Sequence, residues 1–249
     1  MIAALRLGGC WLVLCSAVAA QDAAPDSALR PQARAEAPAE QTPAALEAEP
    51  SRELPWMGDA DYAACLAELD ALGVEYSEID PMLPEDSLTC GILRPLKVTS
   101  LAEGVALEPS GTMRCETARA AGRWVRDFVL PAAARVAPDR GALTAVRNGS
   151  GYVCRSRNGD GSGKPSEHGL GNALDVMGFV FATGPEIAIT PREAEGSMAE
   201  AFQDAVRASA CLEFTTVLGP GSNAAHDDHL HLDVIARDSG YRLCEQGGG

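Results

Sequence analysis

Six cysteines in a chain that starts like an exported protein limit its fold more than any other feature. Of eight cysteines, Cys10 and Cys15 lie near the N-terminus, leaving Cys65, Cys90, Cys115, Cys154, Cys211 and Cys244. Arg6 gives a positive start, Leu7 to Ala17 is mostly apolar, and Val18-Ala19-Ala20 places small side chains before Gln21. Residues 1–20 therefore read as a secretory signal peptide, too short for a stable membrane anchor. No later segment is long and apolar enough to span a bilayer, so a secreted, periplasmic protein without a membrane span in its mature form is expected. An even number of cysteines in an exported chain implies disulfides. No two stand in CxxC spacing, which argues against a cysteine zinc site. Sequence alone does not choose the pairing, and Cys65–Cys90 and Cys211–Cys244 are guesses based on adjacency along the chain. Each bridge is expected to contribute about 2–4 kcal/mol by constraining the unfolded chain.

Residues 21–55 are rich in Ala, Pro and Glu, and cannot bury enough apolar surface to offset their ordering entropy. They are expected to form a disordered tether ahead of a folded domain over 56–245, with 246–249 a flexible tail. Within the domain, Asp59 or Asp61 can cap a helix to about Leu72, with Gly73 just past its end. A longer helix is predicted from Ser110 to about Val129, ended or kinked by Pro131, and another from Ser197 to Ala210. Strands are predicted at Arg94–Leu101, Ala142–Arg147, Tyr152–Arg157, Ala173–Phe181, Glu186–Thr190, Thr215–Leu218 and Leu230–Ala236. Helices mixed with neighbouring strands, without a strict βα alternation, suggest a disulfide-stabilised α+β fold: a central, largely antiparallel sheet with flanking helices.

The formal net charge is -15, and removing Arg6 with the leader makes it -16, so binding to nucleic acid through phosphates is not expected. Chemistry concentrates in the last third of the chain, where all four histidines lie: His168, His226, His229 and His231. His168 sits in a Gly-rich turn and Asp175 on the strand that follows. Gly169 and Gly171 permit the tight backbone that lets the two side chains converge. His229 and His231, two apart, share a face if their segment is a strand. If Ala173–Phe181 pairs with Leu230–Ala236, Asp175 and His231 can meet across the sheet. Two imidazoles and one carboxylate with an open fourth position form the donor set of a catalytic zinc ion, with iron and manganese left open.

These residues carry a resemblance. Ser166, His168, Gly171, Ala173 and Asp175 match the SxHxxGxAxD signature of the zinc peptidases of bacterial cell walls: the D-Ala-D-Ala peptidases, the lysostaphin-type endopeptidases and the similarly folded hedgehog domain. His229-Leu230-His231 matches their second motif. More closely, the chain resembles the bacterial extensin-like C-terminal domain family over about residues 60–245. It does so through Gly149 to Arg155, Ser166-Glu167-His168, Gly171 to Val176, Val217 to Pro220 and His226 to Asp233. The resemblance implies a hedgehog/DD-peptidase-like fold, with His168, Asp175 and His231 as zinc ligands. It implies metal-assisted hydrolysis of amide bonds in peptidoglycan peptides, with His229 assisting. In the dipeptidase branch a Glu three residues before the last ligand is the base; here that position holds Asp228, a shorter acid kept as the second candidate. A further view makes Asp228 and Asp233 carboxylates that orient imidazoles. A peptidase cutting beside a free carboxylate needs a cation, and Arg155 or Arg157 could supply a bidentate fork. Ser166 either hydrogen-bonds substrate or caps the turn at His168. The alternative is a non-catalytic zinc- and wall-binding domain of the same fold.

Other motifs are weaker. Gly159 to Pro165 lacks the spacing of a phosphate loop. Asn148-Gly149-Ser150 is a glycosylation sequon by pattern only. Trp124 and Phe128 read as core, and His226 as a rim residue more than a fourth ligand.

Overall fold

The computed structural model describes residues 54–85, 87, 89–136, 138–157, 164–192 and 196–246. The expected signal peptide, nearly all of the expected tether, residues 247–249 of the tail and residues 158–163 of the Gly-rich loop lie outside the described residues. The elements, in chain order, are α1 (Asp59–Leu72), β1 (Glu75–Glu78), β2 (Leu96–Ala102), β3 (Val105–Met113), α2 (Cys115–Trp124), α3 (Leu130–Val136), β4 (Leu143–Ser150), β5 (Ala173–Phe181), β6 (Ile187–Ala188), α4 (Met198–Glu213), β7 (Thr216–Leu218), β8 (Leu230–Asp233) and β9 (Leu243–Cys244). Among the described residues no helix is long and apolar enough to cross a membrane.

The strands form one sheet in the order β1-β2-β3-β4-β5-β8-β7-β9, with β6 on β5. The sheet is mixed, which corrects the expectation of a largely antiparallel one: β3 and β4 run parallel, as do β7 and β9. The reason lies in the crossover. A helical segment from Cys115 to Val136 joins β3 to β4, and such a connection returns the chain to the end where it began. The helix predicted from Ser110 starts later, at Cys115, because Ser110 to Met113 complete β3. Nor does it stop at Pro131. A widened turn at Val125–Val129 links α2 to α3, and the Leu130 N–H reaches back to the Val125 carbonyl. A proline ring clashes with the carbonyl four residues back, and a π turn at that place relieves the clash.

Other expectations need smaller corrections. Gly58, not Asp59 or Asp61, precedes α1; both aspartates fall in its first turn, where their charge favours the positive end of the helix dipole. Tyr152–Arg157 is a loop, not a strand, pinned by Tyr152 N–H to Thr112 O at 2.8 Å and by a disulfide at Cys154. The Asn148 sequon is buried: its side-chain amide donates to Pro109 O at 3.0 Å inside the sheet.

The three bridges are Cys65–Cys115, Cys90–Cys154 and Cys211–Cys244. The last was expected, whereas Cys65–Cys90 is overturned. α1 packs on α2, which brings Cys65 within 6.3 Å of Cys115 between Cα atoms. Cys90 lies against Gly169 and faces Cys154 instead.

Trp124, Phe179, Phe202 and Phe214 are fully buried at the centre of the core. The Trp124 indole N–H donates to Val206 O at 2.9 Å, so α2 and α4 are joined by a satisfied polar handle within an apolar layer. On β5 and β8, Leu174, Val176, Leu230 and Leu232 belong to this core. Alternation along a strand then turns Asp175 and His231 to the opposite side.

Candidate metal centre

β5 and β8 pair antiparallel, with Asp175 directly opposite His231. His168 comes from the short helical turn Glu167–Leu170, which precedes β5. The Ser166 hydroxyl accepts the His168 N–H at 3.4 Å, so Ser166 caps this turn. Gly171, at φ 66°, reverses the backbone into β5. A Cβ here would also collide with the buried Ile92 side chain and crowd the Arg114 backbone nitrogen at 3.1 Å.

The three side chains meet. His168 Nε2 lies 3.1 Å from Asp175 Oδ1 and 3.1 Å from His231 Nδ1, and His231 Nδ1 lies 3.0 Å from Asp175 Oδ1. A cation bound at about 2.0–2.1 Å by tetrahedral donors spaces them roughly 3.3 Å apart, so this triangle fits a zinc-sized ion after a small expansion. The outer ring nitrogens are held as well. His168 Nδ1 lies 2.7 Å from Gly151 O, and His231 Nε2 lies 3.3 Å from Asp233 Oδ2. Donation at those positions fixes the tautomers and turns the other nitrogen of each ring toward the shared point.

Electrostatics follow from this packing. Burial alone would raise the Asp175 carboxyl, but hydrogen bonds and charge from His168 and His231 hold it far below the usual carboxylate range. Burial also opposes charge on His231; its bonds to Asp175 and Asp233 overcome that and raise it to about 9. His231 is thereby held as an imidazolium between two carboxylates.

The other histidines stand beside this centre. His229 Nε2 is 3.6 Å from Asp175 Oδ1, and its Nδ1 is 2.8 Å from Asp228 Oδ1. Asp228 is largely exposed and turned toward His229. It thus orients the imidazole more readily than it reaches the donors. His226 packs against both His229 and His231 with ring centroids 5.2 and 5.7 Å away, and its Nδ1 lies 2.8 Å from Asn223 Oδ1. Burial, then the nearby imidazoles, lowers it to about 4, which keeps it neutral at ordinary pH. It is not among the converging donors.

A cleft of about 210 Å³ opens over the centre, lined by the histidines, Arg155, Arg157, Ser166 and Arg237 among others. Arg155 Nη2 approaches Asp175 Oδ2 at 4.0 Å. Arg157 pairs with buried Glu167 at 3.5 Å. Glu167 also accepts from Asn172, whose amide oxygen accepts from Arg114. Sequence reasoning missed this buried network and missed Arg237. Arg237 lies beyond the end of β8, where no periodicity marks it.

A family model described as extensin-like protein C-terminus matches residues 63–245. No curated protein and no solved structure gives a match.

Proposed function

The chain belongs to the extensin-like protein C-terminus family, and on that premise we propose that it is a secreted, periplasmic, zinc-dependent hydrolase of amide bonds in peptidoglycan peptides. The reading further takes its fold and donor set to be those of the D-Ala-D-Ala peptidase, lysostaphin-type and hedgehog group. Two motifs support that relationship: Ser166, His168, Gly171, Ala173 and Asp175 in SxHxxGxAxD spacing, then His229-Leu230-His231. Three disulfides support an oxidising compartment. The observation that carries the proposal is the triangle of two imidazole nitrogens and one carboxylate oxygen with edges of 3.0–3.1 Å, at the floor of an open cleft.

His168 Nε2, Asp175 Oδ1 and His231 Nδ1 would hold the ion. Zinc in such a site acts as a Lewis acid toward a carbonyl and makes water a usable nucleophile near neutral pH. His229, placed over the donors and oriented by Asp228, moves a proton at Nε2 and holds the developing oxyanion. Arg155 stands where it can receive a substrate carboxylate beside the centre, whereas Arg157 is partly committed to Glu167. Ser166 keeps His168 in place through the cap.

The test is digestion of muropeptides by the purified mature protein, with and without chelator, alongside its metal content. One zinc per chain and chelator-sensitive cleavage are expected. His229→Ala should retain zinc while its rate falls about 10²–10⁴-fold. A protein that purifies without metal and gains none overturns the reading. Bound zinc with no cleavage makes the chain a non-catalytic wall-binding domain.

A further inference from the structure

We propose that Arg237 forms a second anion subsite in the cleft, so that the site takes a peptide with two carboxylates, one on each side of the metal donors. The assignment of the scissile bond between them rests on the hydrolase reading above; the charge preference does not.

The strand register places the parts. Partners across antiparallel strands share a face, and the pairs are Asp175 with His231, His231 with Leu218, and Asp233 with Thr216. These five side chains therefore form one floor, made from β5, β8 and β7 in that order. Arg155 stands over the β5 side, with its Nη2 4.0 Å from Asp175 Oδ2. Arg237 is anchored over the β7 side, donating through Nη1 to Thr215 O at 2.8 Å and through Nη2 to Thr216 Oγ1 at 2.7 Å. Two strand spacings across and two residues along separate Asp175 from Thr216, so the anchoring points of the two guanidinium groups lie roughly 12 Å apart on either side of β8.

The chemistry of Arg237 points to an anionic ligand. Both of its anchors are neutral, and among the described residues no carboxylate lies within ion-pair distance of it. The carboxylates that line the same cleft have other direct partners: Asp233 bonds His231, the Ile235 N–H and the Thr216 hydroxyl, through which alone it reaches Arg237, and Glu167 bonds Asn172 and Arg157. A guanidinium carries five N–H groups, and the two anchors leave the remainder free to grip a planar anion. In a chain of net charge -15, a half-buried arginine held in a concave site without a carboxylate partner is a specific placement of positive charge. An extended peptide advances about 3.3–3.6 Å per residue. With its terminal carboxylate at Arg155, the residue whose side chain reaches Arg237 lies about two positions before the C-terminus.

The experiment compares acetyl-Glu-D-Ala-D-Ala with acetyl-Gln-D-Ala-D-Ala by titration calorimetry, on zinc-loaded and on chelated protein. The wild type should bind the Glu probe about tenfold more tightly, the scale of one charge-assisted pair. Arg237→Gln should bring that ratio to about one while zinc content stays unchanged, and Arg237→Lys should keep part of the preference. Absence of a Glu preference in the wild type, or its persistence in Arg237→Gln, overturns the proposal. Zinc-dependent cleavage with equal affinity for both probes removes this inference alone. A Glu preference in a protein that binds no zinc removes the hydrolase reading alone.

Discussion

His231 is the residue on which the centre turns, because it lies between Asp175 and Asp233 with one ring nitrogen toward each. Its folded pKa stands near 9 against an ordinary 6.5. A pKa raised by folding contributes stability that is fully present below the unfolded value and is lost as pH rises through the folded one. The chelated protein should therefore lose roughly 3 kcal/mol, shared with its carboxylate partners, between about pH 6.5 and 9.5. Urea denaturation across that window measures it. His231→Gln should be flat over the same range, and an equal slope in the variant would refute this account. Added zinc should abolish the loss, because it replaces the same proton. Asp175 works at the other end: its depressed carboxyl stabilises the fold above the ordinary carboxylate range and ceases to do so as pH falls below it. That His168, Asp175 and His231 would converge was legible from a short Gly-containing turn followed by two strands of period two. That Asp228 would turn outward to His229 was not, because a side chain at a strand entry has no periodicity to orient it.

At the level of elements, the turn Glu167–Leu170 decides whether the third donor arrives. Gly171 closes it with φ 66° and sits against Ile92 and the Arg114 backbone. Gly171→Ala combines a left-handed backbone strain with overpacking, and should lower the unfolding free energy in denaturant by about 2–4 kcal/mol and weaken zinc binding. Gly104→Ala, also at positive φ but with nothing within 4 Å of the added carbon, should cost only about 1–2 kcal/mol and leave zinc binding unchanged. Equal penalties would show that the crowding at Gly171 is unimportant. Elements with a strong local signal, such as α1 and α4, lie close to where their patterns placed them. β3 was not anticipated at all, and its last residues, Ser110 to Met113, were read as the start of the following helix. The helix continues through Pro131 by way of the widened turn at Val125–Val129, and the proline alone did not say whether the helix would end or bend there.

For the whole molecule, the bridges and the sheet hold distant segments around one cleft. Cys90–Cys154 joins residues 64 apart and fastens the Arg155 loop beside the His168 turn, where Gly91 N–H also donates to Gly169 O at 2.8 Å. Cys90→Ala with Cys154→Ala should lower stability by about 2–4 kcal/mol and weaken zinc binding as well. Removing Cys211 and Cys244, at the far end of α4, should lower stability without altering zinc affinity. Similar zinc affinities in the two double variants would mean that Cys90–Cys154 does not position the centre. Local patterns were enough for the number of bridges, the positions of α1 and α4, and a histidine–carboxylate set that periodicity and short spacing bring to one face. Packing between remote segments settled the partners of Cys65 and Cys90, the parallel course of β4 beside β3, and the seats of Arg155 and Arg237 on either side of β8. Each of these depends on segments remote in sequence packing against one another, and no local pattern encodes which remote segment that is.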